Sequence, residues 1–281
     1  MKRMLRSARF AVPALIATLT LVGATAGAAP AAPPSTVVYD ALGDSYASGF
    51  GVPPYAACGR SQSAYAVQLD GRQRVRLDDF VACGGATTTS LVTGGQLGAL
   101  DVETDLVTVS IGGNDIGWST AVAACLGGTD AQCTGALALV NGRIASQLPA
   151  LLDAVYAKIA AAAPNAHVVV TGYPRLFSPE YGAYLAASQA ELTALNAGAD
   201  ALNAVVAAAA ARAGFQYVDV RERFDGHGVN SPDPWILGPS DPGAFHPTAA
   251  GYKAYTAAVN SALGPVKLPS RPVARASPVH S

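Results

Sequence analysis

The chain has 281 residues, enough to bury one substantial hydrophobic core. Its formal net charge is −1 and only 13% of its residues are charged, so no basic surface points to nucleic acid and no acidic run points to a solvating tail. Composition alone does not separate an enzyme from a binding protein, and the order of the residues has to do so.

At the amino terminus, Lys2, Arg3, Arg6 and Arg9 precede an apolar stretch at 10–22, followed by Ala-x-Ala patterns at 24–26 and 26–28. This is the layout of a secretory signal and predicts a signal peptide over 1–28, hence a secreted, extracellular product. The apolar stretch is shorter than the roughly 20 residues a span requires, so no stable membrane anchor is expected. Export implies an oxidising setting for Cys58, Cys83, Cys125 and Cys133. Four cysteines allow three pairings. Cys58–Cys83 and Cys125–Cys133 are favoured because each closes a local loop around the rim described below. No Cys-x-x-Cys occurs and the histidines are dispersed, so neither a metal nor another cofactor is expected.

The first strand is predicted over 37–42 and runs into Gly43-Asp44-Ser45. A weaker one over 75–82 leads into Cys83-Gly84-Gly85, and a third over 106–111 leads into Gly112-Gly113-Asn114-Asp115. A helical stretch at 136–163 is broken or restarted at Pro149. A fourth strand covers 167–171, a long alanine-rich helix covers 188–213 and stops at Gly214, and a fifth strand covers 215–220. A last helix at 248–263 follows His246-Pro247, and the proline-rich stretch at 265–281 reads as a disordered tail. The long connections at 173–184 and 222–245 are rich in Pro, Gly and aromatic residues. Short apolar runs alternating with helices imply a parallel sheet covered on both faces, a three-layer α/β/α domain over 29–264.

In such a sheet the loops after the strands share one rim, where ligands bind. Ser45 sits on that rim as a candidate nucleophile. His246 is the candidate base, with His227 the other plausible one, and Pro247 restricts the backbone of His246 to extended conformations. The two glycine-bearing loops supply candidate oxyanion donors. A nucleophile, a base and such donors are what acyl transfer needs. The Gly-x-Ser-x-Gly elbow of α/β-hydrolases is absent, since Ala47 fills its last position.

The ordered set Gly43-Asp44-Ser45, Gly85, Gly112-Gly113-Asn114-Asp115 and His246 resembles the SGNH hydrolases, also called GDSL lipases and esterases. The match is closest to their secreted actinobacterial lipase, esterase and phospholipase A1 branch, through Gly-Asp-Ser-Tyr-Ala-Ser-Gly at 43–49 and His246-Pro247-Thr248. The resemblance implies a flavodoxin-like five-stranded parallel sheet and cofactor-free ester hydrolysis. It also implies oxyanion donors from the Ser45 and Gly85 N–H groups and the Asn114 amide. The chain departs from the family's Asp-x-x-His pattern, because Gly243 stands three residues before His246. A main-chain carbonyl of Gly243 or Ala244 is expected to orient the imidazole, with Asp241 the alternative.

The expected partner is a lipid or small-molecule ester, turned over by a monomer. Tyr46, Tyr173, Phe177, Trp235 and Phe245 are candidates for an acyl groove. A polysaccharide deacetylase is the competing enzyme reading, and a non-catalytic secreted binding protein is the reading from another class.

Overall fold

The computed structural model describes residues 36–264; the predicted signal peptide and the proline-rich tail lie outside the described residues. Five strands, β1 (Val37–Gly43), β2 (Val75–Phe80), β3 (Leu106–Ser110), β4 (His167–Thr171) and β5 (Gln216–Val218), form one parallel sheet in the order β2-β1-β3-β4-β5. All five residues of β3 are buried, because it has strands on both sides and helices on both faces. The edge strand β2 instead exposes much of Arg76, Asp78 and Asp79, which explains its weak signal.

Two strands are shorter than the sequence suggests. β2 stops at Phe80 because the N–H groups of Val81 and Ala82 both turn to the Ala41 carbonyl, at 3.0 and 3.2 Å. β5 ends at Val218 because the Asp219 carboxylate accepts from Arg221 N at 2.9 Å and starts a turn.

Eight α-helices are assigned among the described residues. They are α1 (Ser45–Ser48), α2 (Tyr65–Leu69), α3 (Thr88–Thr93), α4 (Trp118–Gly127), α5 (Asp130–Ser146), α6 (Leu148–Ala162), α7 (Gln189–Arg212) and α8 (Ala249–Leu263). α2 packs with α8, while α3, α5, α6 and α7 pack among themselves and α4 leans on α5 and α7. Thr129, Ser188 and Thr248 cap α5, α7 and α8 with their side chains, the first two in reciprocal capping boxes with Gln132 and Glu191. Pro149 lies in the first turn of α6, where its missing N–H costs nothing, so the predicted 136–163 stretch divides around Gln147. α4 has no comparable start signal. Its N-cap is Gly117, at φ +71, with no side-chain cap, so nothing in the local sequence marks where it begins.

The strand order reverses direction between β1 and β3. That is the switch point at which an open parallel sheet leaves a crevice at its carboxyl edge. β1 delivers Ser45 to one side of the crevice, and β3 delivers Asn114 to the other.

Candidate active site

Gly43 ends β1 at φ +129, a conformation open to glycine, and a Cβ there would lie 2.4 Å from the Ser110 carbonyl oxygen. The buried Gln96 amide grips this residue, accepting from Gly43 N at 2.8 Å and donating to Gly43 O at 2.9 Å. The chain is thus forced out of the sheet at one defined spot. Asp44 then caps α1 by accepting from Tyr46 N at 3.0 Å, and Ser45 opens that single turn at 9% exposure.

His246 Nε2 lies 2.7 Å from Ser45 Oγ, although 201 positions separate the two residues. Its Nδ1 faces the Ala244 carbonyl at 2.9 Å and the Gly243 carbonyl at 3.2 Å. Carbonyl oxygens only accept, so Nδ1 carries the proton and Nε2 turns its lone pair toward the serine hydroxyl. Burial pushes the imidazole below its usual pKa of 6.5, opposed by the two carbonyls. The rings of Phe50 and Tyr46 flank it at 5.0 and 5.1 Å.

The carbonyls reach Nδ1 because Phe245 adopts φ +62, a left-handed conformation uncommon for an aromatic residue. That kink is held from three directions. Phe245 N donates to Leu237 O at 3.0 Å, Leu237 N donates to His246 O at 2.9 Å, and Tyr46 Oη donates to Phe245 O at 2.7 Å.

Asp241, the alternative partner, does not reach the imidazole: its carboxylate accepts from Gly238 N at 2.8 Å and closes its own turn. Nor is there room for the family's aspartate at 243. A Cβ on Gly243 would lie 2.4 Å from the Gly51 Cα, so two backbones meet where that side chain would begin. His227 is spent elsewhere. It stacks on Trp235 at 3.7 Å and binds the Asp233 carbonyl at 2.8 Å.

Asn114 donates one amide hydrogen to the Ala86 carbonyl at 2.9 Å, leaving its second free for a ligand. Gly85 sits exposed at φ +79 on the adjoining turn. It lines a neighbouring cleft and joins the site through Ala86, rather than sharing a wall with Ser45. Cys58–Cys83 staples this turn, with Gly84 N donating to Cys58 O at 2.8 Å. Farther along, Thr88 donates through N and Oγ1 to the Asp115 carboxylate, at 3.0 and 2.6 Å, locking the two glycine loops together.

Beneath Ser45, Asp44 is 1% exposed and accepts from Tyr173 Oη at 2.5 Å and Ser110 Oγ at 3.1 Å. Burial raises its carboxyl to about 6. Tyr173 Oη in turn accepts from Gly113 N at 3.1 Å, so the residue before Ser45 and the residue before Asn114 are tied through one phenol. Two buried asparagines of α7 hold the loop that carries Tyr173. Asn203 and Asn196 each accept from the N–H and donate to the carbonyl of one residue, Tyr173 and Phe177 respectively.

A cavity of about 110 Å³ opens beside Ser45, His246 and Asn114. Its apolar lining includes Trp118 and Val122 of α4, Ala199 and Leu202 of α7, and Leu176 and Phe245 from loops. Tyr46, Tyr173 and Phe245 line it as expected, but Phe177 and Trp235 do not. Phe177 lines a separate cleft with Phe224, and Trp235 packs on His227 and Phe224. The helical part of the lining was missed. Since α4 is uncapped, its apolar residues carried no start signal, whereas the spacing of Ala199 and Leu202 on α7 did place them on one face. The far side of α4 is fixed by the Cys125–Cys133 disulfide.

Residues 41–254 match the model of the GDSL-like lipase/acylhydrolase family. Lipase 1 of Streptomyces coelicolor is 38% identical over 248 residues, 84% of this chain and 90% of that one. Among solved structures, an extracellular lipase of Streptomyces rimosus superposes with a TM-score of 0.77 at 38% identity, covering 81% of this chain and 100% of that chain. A phospholipase A1 of Streptomyces albidoflavus superposes at 0.73 with 37% identity, covering 81% and 99%. A family match over most of the sequence, joined to relatives aligned along nearly their full length, establishes that this chain belongs to the GDSL-like lipase/acylhydrolase family and is a carboxylic ester hydrolase.

Proposed function

We propose that the protein is a secreted hydrolase of fatty-acyl esters, working through a Ser45–His246 dyad and an acyl-enzyme. The single observation behind this reading is the 2.7 Å contact between Ser45 Oγ and His246 Nε2, made beside an apolar cavity. His246 Nε2 takes the Ser45 proton as Oγ attacks the ester carbonyl carbon. The oxyanion is received by the free Asn114 amide hydrogen and the Ser45 N–H, both on the cavity, and the Gly85 N–H adds a third donor only if its turn closes toward Ser45 when an ester binds. Collapse of the tetrahedral adduct breaks the bond to the alcohol oxygen, which leaves with the proton from His246. Water then repeats the sequence on the acyl-serine and releases the acid. Throughout, the Ala244 and Gly243 carbonyls hold Nδ1–H, doing the orienting work of a triad carboxylate with less stabilisation of the imidazolium.

Apolar walls beside the nucleophile favour a fatty chain over an acetyl group. The relatives described as lipases and as a phospholipase A1 support the same choice. Two disulfides and the signal-like segment at 1–28 support export, as does the extracellular Streptomyces relative.

The test is a fluorophosphonate probe with parallel turnover of p-nitrophenyl esters. The wild type is expected to label at Ser45 and to favour octanoate over acetate, and Ser45→Ala is expected to lose both label and turnover. Turnover surviving in Ser45→Ala would defeat the mechanism. An absence of both label and turnover in the wild type would favour a binding protein, and acetate as the best ester would favour the deacetylase.

A further inference from the structure

One wall of the cavity beside Ser45 belongs to α4 and another to α7, and the Trp118 side chain reaches from the first helix to the second. Trp118, the first residue of α4, lays its six-membered ring against α7 at Gly198. A Cβ on Gly198 would lie 2.9 Å from Trp118 Cζ3 and 3.0 Å from Cη2. The indole therefore seats directly on bare backbone, a fit that glycine allows and alanine does not. The next residue, Ala199, lines the cavity, as does Leu202 one turn on.

The wall that carries Trp118 is held at both ends. Arg143 of α5 donates from Nη1 to the Ile116 carbonyl at 3.1 Å, just before α4, and the same guanidinium lies where a Cβ on Gly117 would have to go. At the other end, Cys125 is bonded to Cys133 of α5, and Ala186 N donates to Leu126 O at 3.2 Å. With α4 pinned to its neighbours, the gap cannot widen by sliding the helix.

We propose that Trp118, seated on Gly198, is the stop that bounds the length of the acyl chain this enzyme accepts, and that Gly198 and Ala199 are specificity-determining positions. This rests on the ester-hydrolase reading of the same site. A chain entering from Ser45 lies among Val122, Ala199 and Leu202, and the indole closes the gap between the two helices. Carbons beyond that point stay in water, and each methylene buried or left out changes relative turnover by about fourfold. Removing the indole opens a continuous lane between the helices. Enlarging Ala199 fills the lane from its other wall.

The experiment compares kcat/KM for p-nitrophenyl butyrate, octanoate, laurate and palmitate, read as ratios so that the amount of active enzyme cancels. Trp118→Ala is expected to raise the laurate-to-butyrate ratio by at least tenfold, and Ala199→Leu to lower it by a similar factor. Gly198→Ala does not itself line the cavity. It is expected to change the ratio when Trp118 is present and to add nothing in the Trp118→Ala background, the coupling expected of two residues in direct contact. A ratio unchanged in either Trp118→Ala or Ala199→Leu would overturn the proposal, as would a Gly198→Ala effect of equal size without the indole. Should Trp118→Ala not fold, Ala199→Leu and Gly198→Ala decide alone: a shift in both sustains the proposal, and a profile unchanged in either overturns it. A wild type inert toward every ester would instead be a failure of the ester-hydrolase reading itself.

Discussion

The proposed nucleophile and the proposed base are held by different kinds of structure. Ser45 stands at the end of a central strand, and its place is set by buried contacts: Gly43 against Ser110, the Gln96 amide, and the Asp44 carboxylate with Tyr173. His246 stands at the end of a long irregular connection, and its place is set by backbone hydrogen bonds within that connection and by one phenol reaching across from Tyr46. On the first side a carboxylate lies buried and takes no proton from the imidazole. On the second, where a triad would have its carboxylate, backbone fills the space. The serine is thus placed through the core, while the atoms that face His246 Nδ1 are main-chain carbonyls.

Substitutions on each side would sharpen or break that contrast. The largest effect is expected for His246→Ala, a fall of about 10⁴ or more in kcat, since it is His246 Nε2 that meets Ser45 Oγ. Steady-state turnover of a soluble ester measures it, and a loss under tenfold would remove His246 from the chemistry. The same residue sets the pH profile. Because burial lowers its pKa from 6.5, the neutral imidazole persists to lower pH, and the acid limb of kcat/KM should fall below 6.5. Asp44 titrates nearby, at about 6, so Asp44→Asn is the control: the limb should survive it if the imidazole is responsible.

Asn114→Ala comes next, with an expected loss of about 10²–10³ in kcat and little change in KM, as for removal of one oxyanion donor. A purely structural role through the Ala86 carbonyl would instead show as a lowered melting temperature with kcat intact. Smaller again is Tyr46→Phe. Without the phenol the kink at Phe245 loses one of its three restraints, and a drop of about tenfold or less in kcat is expected, the worth of one hydrogen bond. Equal activity would mean that the backbone bonds to Leu237 suffice. The smallest effect is assigned to Asp241→Asn, within about threefold of wild type, since that side chain caps Gly238 and an amide can still accept there. A fall near 10⁴ would restore a triad and cancel the contrast between the two sides.

Much of this was legible along the chain. Buried parallel strands announce themselves as short apolar runs, and each of the three that matter leads into a glycine-bearing loop, so the candidates on the rim could be named from order and residue type. What escaped detection did so for physical reasons. α4 begins at an uncapped glycine, which looks like any loop, and with it went Trp118 and Val122. Asn196 and Asn203 read as ordinary polar positions on a helix, because only the fold shows two loop backbones waiting for their amides. Trp235 looked like substrate-facing apolar surface and turned out to stack on His227.

Sequence by itself determined the strand pattern, the two long helices nearest the carboxyl terminus and the candidate reacting groups, since these follow from local periodicity and residue type. Only the tertiary structure decided which oxygen faces His246 Nδ1 and why it belongs to the main chain. The crowding of Gly243 against Gly51 and the positive φ of Phe245 arise from segments nearly 200 residues apart, and no local rule along the polymer encodes how closely two such backbones will approach.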